Sequence, residues 1–193
     1  MTVNVEASLT QHDAVVTGLR DFLDALASAA PDERSSQRLL HDLAQWTEDL
    51  RQDAVEESHR HYGRSPTLAT AGQATTPWYV VDEAAPPERL AGRASFSNFF
   101  LGGRGAAHGG TIPLLFDELF GWLANSEGMP PSRTAYLTTN YRSVVRVGRP
   151  MTFTAWTDRV EGRKRFLRAE LRDGDTVCAE SEALFVTLRA GQP

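Results

Sequence analysis

A histidine and two glycines, His108-Gly109-Gly110, stand directly before an apolar run, Thr111-Ile112-Pro113-Leu114-Leu115-Phe116, that leads to a carboxylate, Asp117. A mostly apolar helix has no packing use for a carboxylate, because an unpaired charge is costly to bury. The first-turn N–H groups of such a helix lack intrahelical partners, point outward and carry partial positive charge. A helix start able to stabilise an oxyanion, with an acid group nearby, is the outline of an acyl-transfer site. Two other readings stand beside it. Asp117 complements the helix dipole in one, and the neighbouring Glu118 is the working acid in the other. Ile112, Leu115, Phe116, Leu119, Trp122 and Leu123 form the strongest apolar stripe. Asp117 lies off that stripe beside Leu114 and Gly121, and Glu118 is expected on the same side.

The elements that hold this segment read as follows. Helical spacing of Val15, Leu19, Phe22, Leu23 and Leu26 predicts a helix over about 8–30, which Pro31-Asp32 breaks. A second amphipathic helix is expected from Ser35 or Ser36, either of which can cap it, with Leu39, Leu40, Leu43, Trp46 and Leu50 on a face that needs cover. Residues 1–58 thus form a helical extension and 59–77 a connector. His59 and His61 in the connector have no third ligand at suitable spacing, so they read as a solvated loop rather than a metal site. Residues 78–190 form the main domain. Strands are expected at Trp78–Val81 and Leu90–Phe100, then the helix at about 109–125. Four more strands follow, over Thr134–Arg142, around Met151, Phe153 and Ala155, over Phe166–Arg172 and over Val177–Leu188, with a tight turn at Asp173-Gly174. The class is α+β, an antiparallel sheet wrapped around one central helix that is apolar nearly all round.

Bulk properties set limits. The 193 residues suit one ordinary domain with an extension, and 41% hydrophobic with 23% charged residues is a globular composition. A net charge of −5 argues against nucleic acid as a partner, and no apolar run is long enough to span a bilayer. The first sixty residues hold twelve Asp/Glu against five Lys/Arg, while the chain from Arg142 onward leans basic. Cys178 is the single cysteine, which excludes an intrachain disulfide, suits a reducing cytosol and reads as inert in its strand. No phosphate-cradling glycine loop precedes a Lys-Ser or Lys-Thr pair. The expected location is the cytoplasm.

Ala107-His108-Gly109-Gly110 with Asp117 nine residues after the histidine, followed by Thr134-Ala135-Tyr136-Leu137-Thr138-Thr139-Asn140-Tyr141, resembles the hotdog-fold acyl-CoA thioesterases of the phenylacetate-pathway (PaaI-like) type. The resemblance covers about residues 78–188. It implies a sheet wrapped around the helix and a homodimer or homotetramer with sites at the subunit interface. It further implies that the Gly109 N–H polarises the thioester carbonyl. Asp117 of the facing protomer would attack that carbonyl or activate water, with Thr134 helping to hold the water. The offset from His108 favours Asp117 over Glu118. His108 is an orienting or helix-entry residue, or else a general base, and Gly110 permits close packing at the bend. Some relatives carry an Asn six residues before the histidine. Gly102 stands there in this chain, and Asn98 can substitute only if the glycine-rich loop folds back. Arg142, Arg146 and Arg149, and less so Arg163, Lys164 and Arg165, are candidates for coenzyme A phosphates. The implied reaction hydrolyses an acyl-CoA to free acid and coenzyme A with no cofactor, coenzyme A entering as part of the substrate. Two rivals are a non-catalytic acyl-thioester-binding protein and an enoyl-CoA hydratase. The hydratase reading needs an acid/base pair, and this sequence shows no Asp-His pair at comparable spacing beside the helix.

Overall fold

The computed structural model describes residues 5–62, 70, 72–86, 88–126 and 128–192, with side chains from residue 10 onward. The chain divides into two compact units, 1–74 and 75–193.

The first unit holds α1 (Val5–Ser28) and α2 (Glu33–Gln52), with a short 3-10 turn at Glu57–His59. The cap of α2 is Asp32 rather than Ser35 or Ser36. Its carboxylate accepts the Ser35 N–H at 2.7 Å and its carbonyl accepts the Ser36 N–H at 2.9 Å, so the helix begins earlier than serine capping predicts. On α1, Val16 and Asp13 are buried, and Arg20 donates to Thr70 Oγ1 at 3.1 Å and to the Gln73 carbonyl at 2.6 Å. α2 buries none of its residues. The expectation that Leu40, Leu43, Trp46 and Leu50 are covered is not met by the described residues of this unit, and Trp46 is 66% exposed.

The second unit contains β1 (Trp78–Ala85), β2 (Arg89–Ser95), β3 (Leu101–Gly103), β4 (Ala106–Ala107), α3 (Thr111–Ala124), β5 (Ser132–Tyr141), β6 (Pro150–Glu161), β7 (Lys164–Asp173) and β8 (Thr176–Thr187). Six strands form one antiparallel sheet in the order β1-β2-β6-β7-β8-β5, and β3 pairs with β4 separately. Period-two alternation in the sequence gives each strand one apolar face. That face buries Met151, Phe153 and Ala155 on β6, Leu167, Ala169 and Leu171 on β7, and Ala179, Ala183 and Phe185 on β8. Ala155 pairs with Ala169 and Ala169 with Ser181, so a rung of small side chains crosses three strands. The rung leaves room for Leu115, Phe116, Leu119, Phe120 and Leu123 of α3, all fully buried. This is the hotdog arrangement, with the sheet curled about a single helix.

Several boundaries differ from the sequence reading. The strand expected through Phe100 stops at Ser95, whose partner is Pro150. Proline has no N–H for the ladder, so the chain turns away into a 3-10 turn at Asn98–Phe100. The glycine-rich loop forms the β3–β4 hairpin, with Arg104 (φ 51°) and Gly105 (φ 77°) both left-handed, as a tight two-residue hairpin requires. The β7–β8 turn is Gly174-Asp175, one residue later than expected, because Asp173 still pairs with Thr176. At the far end of α3, the buried Arg165 guanidinium donates to the Ala124 carbonyl and satisfies a helix-end acceptor.

β1 and β2 meet at an irregularity after Val81, opposite Gly92. A Cβ on Gly92 would lie 2.0 Å from the Val80 carbonyl oxygen and 2.8 Å from Phe153 Cζ. Gly92→Ala is expected to lower the unfolding free energy by about 3 kcal/mol, at the upper end for overpacking. Urea denaturation checks it, and a loss below about 0.5 kcal/mol is the contrary result.

Candidate active site

The loop before α3 is fixed by the β3–β4 hairpin, which folds the chain back so that the His108 N–H donates to the Phe100 carbonyl at 2.7 Å. Ala107 N–H donates to the Val145 carbonyl at 2.8 Å. Gly102 lies against this loop, and a Cβ there would come within 2.8 Å of His108 Cα. An asparagine at this position would push the two backbone segments apart. Asn98 opens the 3-10 turn that leads into the same hairpin.

The His108 carbonyl accepts both the Thr111 N–H at 3.0 Å and the Thr111 hydroxyl at 2.7 Å. Gly110 N–H donates to His108 Nδ1 at 3.1 Å, which puts the proton of the neutral ring on Nε2. His108 thereby takes up an N–H at the start of a helix whose N-cap residue, Gly110, has no side chain to do so. A Cβ on Gly110 would crowd that ring at 3.2 Å. The Gly109 carbonyl accepts the Tyr141 hydroxyl at 2.7 Å. Gly109 is not in the left-handed region, and an added Cβ would meet only the Tyr141 ring, at ordinary contact distances of 3.6 Å and more. The fold therefore does not require glycine at 109. Among the described residues, nothing accepts the Gly109 N–H.

The sheet covers one face of α3, whereas the sequence suggested a helix enclosed nearly all round. Leu114, Asp117 and Trp122 are exposed, and a Cβ on Gly121 would meet no atom within 4 Å. Trp122, expected in the buried stripe, is 40% exposed. On this open face Thr134 Oγ1 donates to Asp117 Oδ1 at 2.9 Å. Glu118, expected on the same side, turns instead to the opposite edge strand and accepts the Tyr79 hydroxyl at 3.3 Å. Tyr79 is buried against Phe153. Burial pushes the Glu118 carboxyl above its usual range, against the opposing effect of the Tyr79 hydrogen bond and with help from the Asp117 charge. Burial and the Glu118 carboxylate push the Tyr79 phenol up as well.

β5 carries an irregularity that leaves no signal in the residue types. Thr134 pairs with Phe185 and Tyr136 with Leu184, leaving Ala135 as an extra residue. Thr134 and Tyr141 are seven apart, and in a regular strand they would face opposite sides. With the bulge, Thr134 pairs with Phe185 and Tyr141 with Ala179, both on the inner face of β8. One strand therefore offers two hydroxyls to the same helix region, Thr134 to Asp117 and Tyr141 to Gly109.

The basic residues divide. Arg142 is engaged by Glu180 at 2.6 Å and Arg149 by Asp173 at 3.6 Å, while Arg163 donates to the Thr187 carbonyl at 2.8 Å. Arg146 forms an isolated bridge with Ala106 at the hairpin, and neither Arg146 nor Arg104 has an ion pair among the described residues. Arg104 is missed by sequence reasoning because its signal, a cation at a hairpin tip, emerges only once β3 and β4 are recognised. Cys178 is buried, and burial pushes its thiol up, away from thiolate chemistry. Among the described residues no group of three or more His, Cys, Asp or Glu could hold a metal ion, and no helix is long and apolar enough to cross a membrane.

Residues 104–180 match the family model of the thioesterase superfamily. No curated protein matches the chain. A solved structure of a thioesterase superfamily protein is similar with a TM-score of 0.75 at 26% identity, covering 91% of this chain and 90% of that one. That coverage must include most of the N-terminal unit. A hypothetical thioesterase protein from Streptococcus pneumoniae TIGR4, solved with coenzyme A, is similar in fold (TM-score 0.53, 15% identity, 57% of this chain and 85% of that chain). A mutant of the phenylacetic acid degradation protein PaaI from Thermus thermophilus is likewise similar in fold (TM-score 0.52, 21% identity, 57% and 93%).

The Glu118 environment has a consequence for stability. Its folded value lies above the unfolded one, so ionisation costs stability as pH rises, and the cost vanishes below the ordinary carboxylate range. Glu118→Gln keeps an acceptor for Tyr79 and removes the charge. The variant is expected to equal or exceed the parent at neutral pH, with the difference closing as pH falls to about 4. Unfolding titrations across that range check it, and a variant clearly less stable at neutral pH contradicts it.

Proposed function

We propose that this protein, whose residues 104–180 match the thioesterase superfamily model, is a cytoplasmic acyl-CoA thioesterase, hydrolysing an acyl-CoA to the free acid and coenzyme A. The observation that carries this reading is the hydrogen bond from Thr134 Oγ1 to Asp117 Oδ1, on the open face of the helix before whose N-cap the Gly109 N–H is unengaged among the described residues. Thr134 occupies one carboxylate oxygen and fixes the direction of the other.

A thioester is already a reactive acyl donor, so one positioned base and one oxyanion donor suffice. In the direct route the free Asp117 oxygen takes a proton from water as the water oxygen bonds to the thioester carbon. Negative charge moves to the carbonyl oxygen and is held by the Gly109 N–H. When the carbonyl reforms, the C–S bond breaks and the departing thiolate takes up the proton. Acyl-CoA and water thus give acid and free thiol, with no redox step.

Gly109 and Asp117 of one chain do not serve the same carbonyl. They are eight residues apart along a helix and its entry, roughly 12 Å at about 1.5 Å per residue. The working site therefore combines Gly109 of one copy with Asp117 of another, and the protein acts as a homodimer or a homotetramer. Leu114 and Trp122, open on α3, supply apolar surface for that contact and for an acyl chain. Gly110 at the helix entry and Asn98 at the turn before the hairpin are the further substrate contacts of this reading. Arg146 and Arg104, with Arg142 where Glu180 releases it, are the groups for coenzyme A phosphates. The coenzyme A bound in the Streptococcus pneumoniae relative supports a ligand of this class.

A panel of acyl-CoAs of varied length and aromatic character, read by free-thiol release, tests the proposal. With an accepted substrate, Asp117→Asn is expected to lower kcat by about two orders of magnitude or more. Thr134→Val, which keeps the shape and removes the donor, is expected to cost roughly tenfold. Near-parental turnover by the Asp117→Asn protein overturns the assignment, and binding of acyl-CoA without turnover by the parent makes it a carrier or sensor instead.

A further inference from the structure

Four backbone polar groups surround Gly109 in the two peptides that flank it. The His108 carbonyl is held twice by Thr111, the Gly109 carbonyl by the Tyr141 hydroxyl at 2.7 Å, and the Gly110 N–H by His108 Nδ1. The fourth is the Gly109 N–H. In a planar trans peptide the N–H points opposite the C=O, so the grip of Thr111 on the His108 carbonyl aims the Gly109 N–H away from the helix. That grip acts on one side of Gly109 only. Glycine turns freely about both of its backbone bonds, so the other side needs a restraint of its own. Tyr141 supplies it.

Tyr141 is 54% exposed, so its hydroxyl had water as an alternative partner and instead reaches the Gly109 carbonyl. It reaches there only because the extra residue at Ala135 puts Tyr141 on the same inner face as Thr134. We propose that Tyr141 is a positioning residue for hydrolysis, its phenol holding the Gly109 carbonyl so that the adjacent N–H stays aimed as the oxyanion donor. The inference rests on the thioesterase reading, since it assigns Tyr141 a part in stabilising the oxyanion. Tyr141 acts through the orientation of one amide, and loss of an oxyanion donor outright costs about 10²–10³-fold in kcat.

The test is Tyr141→Phe in the full chain, with Thr111→Val as a second variant on the other side of the same glycine. Two readouts are taken: steady-state hydrolysis of an accepted acyl-CoA, and the order parameter of the Gly109 amide from glycine-labelled protein. Expected for Tyr141→Phe are a kcat lower by roughly 10–100-fold, a KM within about twofold and an unchanged melting temperature. The Gly109 amide should fall from the rigid value of about 0.85 toward the flexible range below about 0.6. Thr111→Val should lower kcat in the same direction. An unchanged kcat, or a Gly109 amide as rigid as in the parent, overturns the positioning role while leaving the thioesterase reading intact. A parent protein that hydrolyses no acyl-CoA overturns that reading instead. The role in turnover falls with it, and the amide measurement then reports only whether the clamp exists.

Discussion

A single extra residue in an edge strand decides what this helix can do. Without Ala135, the alternation of β5 would send either Thr134 or Tyr141 to the outer face. With it, both hydroxyls point inward, one to the carboxylate partway along α3 and the other to the carbonyl at its start. Bulges of this kind re-aim side chains at the cost of one unpaired backbone position, and an edge strand is where that cost is smallest. The core makes the arrangement possible. Small residues on the inner face of β6, β7 and β8 let α3 sit close enough to the sheet for a strand hydroxyl to reach a helix carboxylate.

The two adjacent acids show how the same helix separates roles. Neighbouring helical positions point about 100° apart. Asp117 therefore meets Thr134 on β5, while Glu118 meets the buried Tyr79 on β1 at the other edge of the sheet. Glu118 is half-buried with its carboxyl pushed up, and Asp117 remains on the open face beside Leu114 and Gly121. A base that must meet water and substrate belongs on the open face, so burial separates the two acids more sharply than their spacing does.

Much of this is legible in the residues. The alternation of β6, β7 and β8 and the stripe of α3 are strong periodic signals, and the curled sheet follows from them. His108, Gly109 and Asp117 are visible as a helix start with an acid, and the resemblance supplies Thr134. The hidden parts depend on partners distant in sequence. Asp32 capping α2 competes with two nearby serines that are equally good caps on paper. Pro150 ends β2 only because the two strands pair there. The bulge at Ala135 leaves no trace in residue type, and without it the role of Tyr141 cannot be seen. Trp122 reads as core because apolar spacing does not say which face a sheet will cover. The α2 stripe of Leu40, Trp46 and Leu50 is equally plain in the sequence, yet no described residue of its own unit covers it.

On the proposed reading the site is shared between copies, because Gly109 and Asp117 of one chain, eight residues apart along α3 and its entry, are too far apart to serve one carbonyl. Complementation between two inactive variants measures this directly. Asp117→Asn removes the base, and Gly109→Pro removes the donor N–H. When equal amounts are unfolded together and refolded, half of the resulting dimers are mixed, and each mixed dimer regains one intact site of two. A shared site predicts recovery of about a quarter of parental hydrolysis from two preparations that are each nearly inactive. A mixture no more active than the average of its two components contradicts it.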